Sequence, residues 1–134
     1  MPVPFAACMA LVASIYNLPP RVLPSIHAVE GGRVGSVSAN TNGTEDLGVM
    51  QVNTLWLPAL AIYTRTDKAV VRHRLINDAC YNIAAAGAIL RGYLNETRGD
   101  LMAAVGNYHS HTPLRNQAYQ AKVMKSAARM FTRP

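Results

Sequence analysis

The chain has 134 residues, half of them hydrophobic, and 13 lysines and arginines against 7 acidic residues, a net charge of +6. This length and apolar content exclude a disordered chain and predict a single domain over residues 1–134 with a real core. The charge favours an anionic partner such as nucleic acid, an anionic membrane or an anionic cell-wall polymer. Because the basic residues are scattered, a dedicated nucleic-acid surface is disfavoured.

Two helices are predicted at the start of the chain. The stretch 3–16 is apolar with no lysine or arginine before it, so it is interpreted as a core helix rather than a signal peptide. No run of eighteen apolar residues occurs, so no transmembrane helix is predicted. A second helix is predicted over 20–30, because Pro20 suits a first turn and Gly31-Gly32 suits a C-terminus.

Residues 33–53 lack a helical pattern and predict a small irregular β-hairpin. Asn42-Gly43 is the strongest turn signal, and Val34, Val37 and Leu47 suit short strands around it. The fold class is therefore expected to be mainly α, that is α+β, with one small β excursion. Five further helices are predicted, over 54–63, 67–75, 79–96, 101–108 and 113–130.

Two of these helices carry stripes that are predicted to face the core. In helix 79–96 the stripe is apolar and includes a glycine that would allow close helix packing: Ile83, Gly87, Leu90 and Leu94. In the last helix the inner stripe is predicted at Ala118, Ala121, Met124 and Ala128.

Glu30 is the leading candidate for chemistry. Apolar Ile26, Ala28 and Val29 precede it, and a carboxyl in such a setting tends to have a raised pKa, which suits a general acid. An anion at a helix C-terminus also opposes the helix dipole, so its placement needs a reason; an idle, solvated glutamate is the alternative. Asp46 is the candidate second carboxylate of a glycosidase, and a turn aspartate bonded to its own backbone is the alternative.

Other chemistries find little support in the sequence. The histidines, His27, His73, His109 and His111, lack an HExxH-type pattern, so no metal is predicted, and no P-loop, GxGxxG or GxSxG motif indicates a cofactor or a serine nucleophile. Tyr108 is either a core tyrosine or a hydroxyl that points into a cleft. Cys8 and Cys80 do not form a CxxC pair, which leaves free thiols and one long-loop disulfide both open.

Taken in order, the motifs resemble the lytic transglycosylase family, in its soluble type with a goose-type lysozyme-like domain. The family pattern ES…NGxxDxGLMQIN is matched by Glu30-Gly31-Gly32, Asn42-Gly43 and the segment 46–53, DLGVMQVN. The family helix CxNIxxGAxxL is resembled at Cys80, Asn82, Ile83 and Leu90, with Gly87 and Ala88 one position later than in that pattern. Residues 104–108 resemble the segment before the family's YNA motif, and the whole match covers residues 5–110.

The resemblance implies a peptidoglycan lytic transglycosylase with a lysozyme-like helical domain and a small β-hairpin beside the active-site cleft. Glu30 would protonate the bond between N-acetylmuramic acid and N-acetylglucosamine and then act as base on the muramoyl 6-hydroxyl, which gives a 1,6-anhydro product without water. The resemblance also implies a disulfide between Cys8 and Cys80. The residues implied to contact the glycan are Met50, Gln51, Asn53, Asn107 and Tyr108.

The short chain with an early cysteine resembles the subgroup that serves secretion, conjugation and type IV pilus machines. This implies local wall remodelling in the periplasm or cell envelope, with peptidoglycan strands and machine components as partners. A monomer is expected, without cofactor, nucleic acid or stable membrane insertion, and with its signal peptide removed. Two alternatives stay open: a lysozyme-type muramidase assisted by Asp46, and an inactive wall-binding or assembly module.

The sequence departs from the family pattern at two places. Gly31 stands where a serine usually follows the glutamate, so one expected hydroxyl contact is missing. The family's YNAG segment is replaced by Tyr108-His109-Ser110-His111, which changes the expected subsite contacts.

Overall fold

The computed structural model describes residues 2–131 and confirms a mainly α, α+β fold. Within that range the α-helices are α1 Ala6–Ile15, α2 Val22–Glu30, α3 Leu57–Thr64, α4 Lys68–Asn77, α5 Ala79–Glu96, α6 Leu101–His109 and α7 Pro113–Phe131. The strands are β1 Val37–Ala39, β2 Glu45–Leu47 and β3 Val52–Asn53, and a 3-10 turn covers Thr54–Trp56. No helix among residues 2–131 combines the length and apolar content needed to cross a bilayer.

The chain divides into two compact units. The central unit is Glu30–Ala86, and the terminal unit combines Met1–Val29 with Gly87–Pro134. The single domain expected over residues 1–134 stays a prediction.

The central unit contains the sheet, which is antiparallel with strand order β1-β2-β3. Val37 lies opposite Leu47, and Asp46 lies opposite Asn53. The hairpin expected around Asn42-Gly43 is confirmed, since Gly43 takes a left-handed φ of 86° in the turn between β1 and β2. Strand β3 was not expected, because its two residues are too few to show an alternating pattern.

Capping side chains fix the helices of the central unit. The Asp67 carboxylate accepts the backbone N–H of Ala69 at 3.1 Å and begins α4, as expected from the sequence. The helix expected over 54–63 is interrupted: a 3-10 turn capped by the Asn53 side chain precedes α3, which begins at Leu57 just before Pro58. The core of this unit includes Leu47, Val52, Val71, Leu75 and Ile83, each at most 2 % exposed.

Close helix packing in the terminal unit depends on glycine, as the sequence predicts. A Cβ at Gly87 of α5 would collide with the Val12 side chain of α1 and lie 3.1 Å from the Tyr16 ring. The stripe predicted on α5 is buried at each of its four positions. A Cβ at Gly106 of α6 would likewise collide with the Asn116 side chain of α7.

The inner stripe predicted for α7 is wrong. Ala118, Ala121 and Ala128 are exposed and Met124 is 56 % exposed, whereas Tyr119 and Val123 are each 4 % exposed and face the core. Alanine is small enough to lie on either face of a helix. Treating the alanines as core residues therefore predicted the wrong face of α7. The true inner face also includes polar residues that the sequence pattern counted as outward, Asn116 and Gln120, which are half-buried and hydrogen-bonded to each other.

Candidate active site

Glu30 is the last residue of α2 and the first residue of the central unit, and it is half-buried. Gly31 follows with φ +67°, the left-handed conformation that commonly ends a helix. A Cβ at Gly31 would meet no atom within 4 Å, so backbone conformation rather than crowding favours glycine there. The serine expected at this position would have to adopt the same left-handed backbone, which is strained for a residue with a side chain.

The chain after Glu30 lies directly against residues 48 and 49. A Cβ at Gly32 would collide with the backbone carbonyl oxygens of both Gly48 and Val49. The chain just after α2 therefore contacts residues 48 and 49, which belong to the motif segment 46–53.

That segment is a tight, left-handed turn over residues 47–51, called here turn 47–51. Gly48 has φ +66°, and Gln51 has φ 54°, although it is not glycine. The side-chain Nε2 of Gln51 donates to the Gly48 carbonyl at 2.9 Å, and its backbone N–H donates to the same oxygen at 3.2 Å. A left-handed non-glycine residue is strained. Phe5, Asn17, Arg65 and Arg98 have the same conformation, so this strain by itself does not indicate a functional site.

Asn82 of α5 is hydrogen-bonded to turn 47–51 from inside the central unit. Its Oδ1 accepts the Met50 backbone N–H at 2.7 Å, and its Nδ2 donates to the carbonyls of Leu47 and Leu75, each at 2.8 Å. The sequence analysis included Asn82 in a motif without giving it a role. The available signal was an amide on an apolar helix face that it shares with Ala85, Ala86 and Ile89, at spacings of three, four and seven.

Three further predicted site residues also lie in the central unit. The Met50 side chain is completely buried, which does not suit the direct glycan contact that the resemblance implies for it. Asp46 and Asn53 are half-buried cross-strand neighbours, and the Asn53 amide donates to the Asp46 carboxylate at 3.0 Å. Asn53 also caps the 3-10 turn by accepting the Leu55 N–H at 2.9 Å. Asp46 therefore lies in strand β2 rather than in a turn as the alternative expected, and its carboxylate bonds to a side chain across the sheet.

Asn107 and Tyr108 lie at the end of α6 in the terminal unit, and both are half-buried. The Asn107 amide donates to the Glu96 carboxylate at 2.9 Å, and its oxygen accepts from Asn116 at 2.8 Å. The Asn107 side chain on α6 is thus hydrogen-bonded to both α5 and α7.

Glu96 is the centre of a polar cluster that the sequence analysis missed. Besides Asn107, its Oε2 contacts Nε2 of His111 at 3.1 Å. The His111 ring meets the edge of Tyr93 at a centroid distance of 5.4 Å. Burial and, secondarily, the negative charge of Glu96 raise the pKa of Tyr93 above its ordinary value. No spacing in the sequence indicates a contact between residues 96 and 111.

His27, His109 and both cysteines have structural surroundings. His27 packs edge-on against Phe5 at 5.9 Å, and His109 stacks on Tyr119 at 4.8 Å. Cys8 and Cys80 are both disulfide-bonded, as the family resemblance implies, so the free-thiol alternative is wrong. Within residues 2–131, no three histidine, cysteine or acidic side chains are grouped so as to hold a metal ion.

Comparison with known proteins gives distant relatives. No protein-family model matches the chain. It is similar to Protein IpgF of Shigella flexneri, with 25% identity over 129 residues that span 96% of this chain and 81% of that protein. It is also similar to invasion protein IagB of Salmonella typhimurium, with 26% identity over 109 residues, 81% of this chain and 64% of that protein. The chain is thus related to proteins that include an invasion protein, and the names of these relatives state no enzymatic activity.

Proposed function

We propose that this chain is a peptidoglycan lytic transglycosylase with Glu30 as its general acid and base. One observation carries the proposal: Gly32, two residues after the end of α2, packs against turn 47–51. Glu30, the candidate acid, lies two residues before Gly32, in the same unit as the turn. The ordered motif resemblance at Glu30, Gly48 and Gln51 adds to that geometry.

The proposed reaction consumes no water. Glu30 donates its proton to the glycosidic oxygen as the bond from that oxygen to C1 of N-acetylmuramic acid breaks, which releases the next sugar with a 4-hydroxyl. The Glu30 carboxylate then takes the proton of the muramoyl 6-hydroxyl, whose oxygen bonds to C1. The 1,6-anhydro ring forms and Glu30 is protonated again, as acid–base catalysis by one group requires.

The assignments of glycan contacts follow the same proposal. In this proposal the oxygen of the half-buried Gln51 amide binds the sugar, since the amide nitrogen already bonds to the Gly48 carbonyl, while the buried Met50 supports the turn. Asn53, Asn107 and Tyr108 keep their proposed substrate roles, with Asn107 also held by Glu96.

A cell-envelope role suits the remaining observations. Structural disulfides persist in oxidising compartments such as the periplasm, and both cysteines are bonded. A net charge of +6 suits an anionic glycan. The relationship to an invasion protein supports the proposal that the enzyme clears peptidoglycan for a secretion machine, whose components would be its partners.

Mass spectrometry of muropeptides released from purified sacculi tests this function. We expect 1,6-anhydro ends from the wild type and a loss of at least ~100-fold in Glu30→Gln, because a general acid typically contributes that much. Glu45→Gln is the matched control, since Glu45 lies in the same unit and pairs with Arg72 at 2.9 Å on the surface.

Two other results would contradict the proposal in different ways. Reducing-end products that disappear in Asp46→Asn would indicate a muramidase; the Asp46 carboxylate is already bound by Asn53, which weighs against it as a base. Sedimentation with sacculi but no product from any variant would indicate a wall-binding module.

A further inference from the structure

We propose that Asn82 is a positioning residue that fixes turn 47–51 relative to Glu30. This inference rests on the proposed function. The family resemblance gave the Asn82 side chain no catalytic role. Asn82 is completely buried within the central unit. Its effect on the glycan would therefore be transmitted through turn 47–51.

The Asn82 amide uses its full polar capacity on backbone groups. An asparagine side chain has one oxygen acceptor and two N–H donors. The oxygen accepts from Met50 N–H, and the nitrogen donates to the carbonyls of Leu47 and Leu75, all at 2.7–2.8 Å. These short bonds in a water-free setting define one position for the turn.

The same three bonds connect different elements. Leu47 and Met50 are the first and fourth residues of a four-residue turn, a pair that often bonds to each other. Here Asn82 bonds to both. Leu75 lies in the last turn of α4, where carbonyls lack a partner within the helix. Asn82 thus joins the turn, the end of α4 and its own helix α5.

A second observation supports the same role for this amide. A Cβ at Gly48 would collide with the Leu75 carbonyl and lie 2.6 Å from Nδ2 of Asn82. The turn therefore approaches Asn82 so closely that only glycine fits at position 48.

The other side of the turn faces the end of α2. Gly32, two residues after Glu30, packs against the carbonyls of Gly48 and Val49. Gly48 is consequently held between Gly32 on one side and the Asn82 amide on the other. A displacement of Asn82 would move Gln51 relative to Glu30, and a misplacement of about 1 Å near a reacting bond can reduce a rate by ~100-fold.

The test compares Asn82→Ser with a control that is equally buried but whose side chain makes no hydrogen bond to the turn. Val71→Ala on α4 removes core volume at a residue with 0% exposure. Folding of each variant is checked by near-ultraviolet circular dichroism, and Met50 amide exchange reports whether the turn has opened. The rate of anhydro-muropeptide release and the half-saturating amount of sacculi are measured below both unfolding transitions.

We expect Asn82→Ser to expose the Met50 amide and to lower the maximal rate by at least ~10-fold, with a smaller change in half-saturation. Val71→Ala should keep its rate within about threefold. The proposal would be overturned if Asn82→Ser folds, its Met50 amide exchanges, and it still releases anhydro-muropeptides at the wild-type rate. If Asn82→Ser does not fold, Gly48→Ala replaces it, because the added Cβ displaces the turn from the other partner.

Failure of the proposed function gives a separate pattern. If the wild type releases no product, sedimentation with sacculi becomes the readout for Asn82. Weaker sedimentation of Asn82→Ser than of Val71→Ala would support positioning of a glycan-binding turn. Equal sedimentation, or none by any form, would overturn the inference together with the enzyme assignment.

Discussion

Two polar networks, one in each unit of the molecule, lie beside predicted site residues and are built in opposite ways. In the central unit, the uncharged Asn82 is completely buried and bonds to backbone groups. In the terminal unit, the charged Glu96 has a side chain 52% exposed and bonds to the side chains of Asn107 and His111.

The difference concerns what each network can fix. Buried hydrogen bonds are strong because leaving any partner unpaired is costly, so the Asn82 network defines one backbone arrangement. Exposed ion pairs are weakened by water and salt, so the Glu96 network tolerates change. We therefore expect turn 47–51 to be rigid and the end of α6 to respond to solution conditions.

The largest expected effect comes from removing each network in turn. Asn82→Leu leaves a buried N–H and two buried carbonyls unpaired, and we expect the free energy of unfolding to fall by about 4 kcal/mol. Glu96→Gln keeps an acceptor for Asn107 and should cost at most about 1 kcal/mol. Denaturant unfolding of both variants, with the disulfide intact, measures the two values.

Salt dependence sharpens this first comparison. The cost of Glu96→Gln should shrink further in high salt, whereas the cost of Asn82→Leu should stay the same. Similar costs for both variants would show that the two networks do not differ as their burial indicates.

A smaller effect is expected from two glycines with the same backbone conformation. Gly48 and Gly31 have φ of +66° and +67°, but a Cβ at Gly48 would collide with neighbours and one at Gly31 would not. We expect Gly48→Ala to lower the free energy of unfolding by about 3 kcal/mol and Gly31→Ala by about 1 kcal/mol, the backbone cost alone.

Thermal or denaturant unfolding checks this second prediction. Gly31→Ser can be added to the series, since it restores the residue that the family usually has. Equal losses at positions 48 and 31 would mean that turn 47–51 yields to the added methyl group, contrary to a rigid turn.

The smallest effect is a pH dependence at Tyr93. Its raised pKa means that the unfolded chain ionises this phenol first, at pH about 10. The stabilisation is complete below that pH and is lost as pH rises through the folded pKa. Wild-type stability should therefore fall more steeply above pH about 10 than that of Tyr93→Phe.

Ultraviolet titration of tyrosinate tests the cause. Glu96→Gln should lower the pKa of Tyr93 only in part, because burial is the larger contribution and Glu96 the smaller. Tyr63→Phe on α3, where the side chain is 65% exposed, serves as the control variant. If the stability of Tyr93→Phe falls as steeply above pH about 10 as that of the wild type, the assignment of this pH dependence to Tyr93 is wrong.

Local signals in the sequence predicted much of the fold. Asp67 and Asp100 cap helices where expected, and Asn42-Gly43 forms the hairpin turn, because caps and turns depend on neighbouring residues. The stripe on α7 failed because alanine carries little information about which face is buried.

The site was predictable only in part. Motif order selected Glu30 and Gln51, and the structure brings their segments together through Gly32. The role of Asn82 depends on partners 32 and 35 residues away, and the contact between Glu96 and His111 spans 15 residues. Such contacts arise from tertiary packing, which a pattern of spacings does not encode.

The strained backbone at Gln51 has a consequence for how the chain can be altered. Its φ of 54° is a conformation that glycine adopts at little cost and that a glutamine adopts only under constraint. Gln51→Gly would remove this backbone cost of about 1 kcal/mol, but it would also remove the bond from Gln51 Nε2 to the Gly48 carbonyl. Under the proposed function the same change would also remove a sugar-binding amide, so relaxing the backbone at position 51 would cost both the turn and the activity a contact.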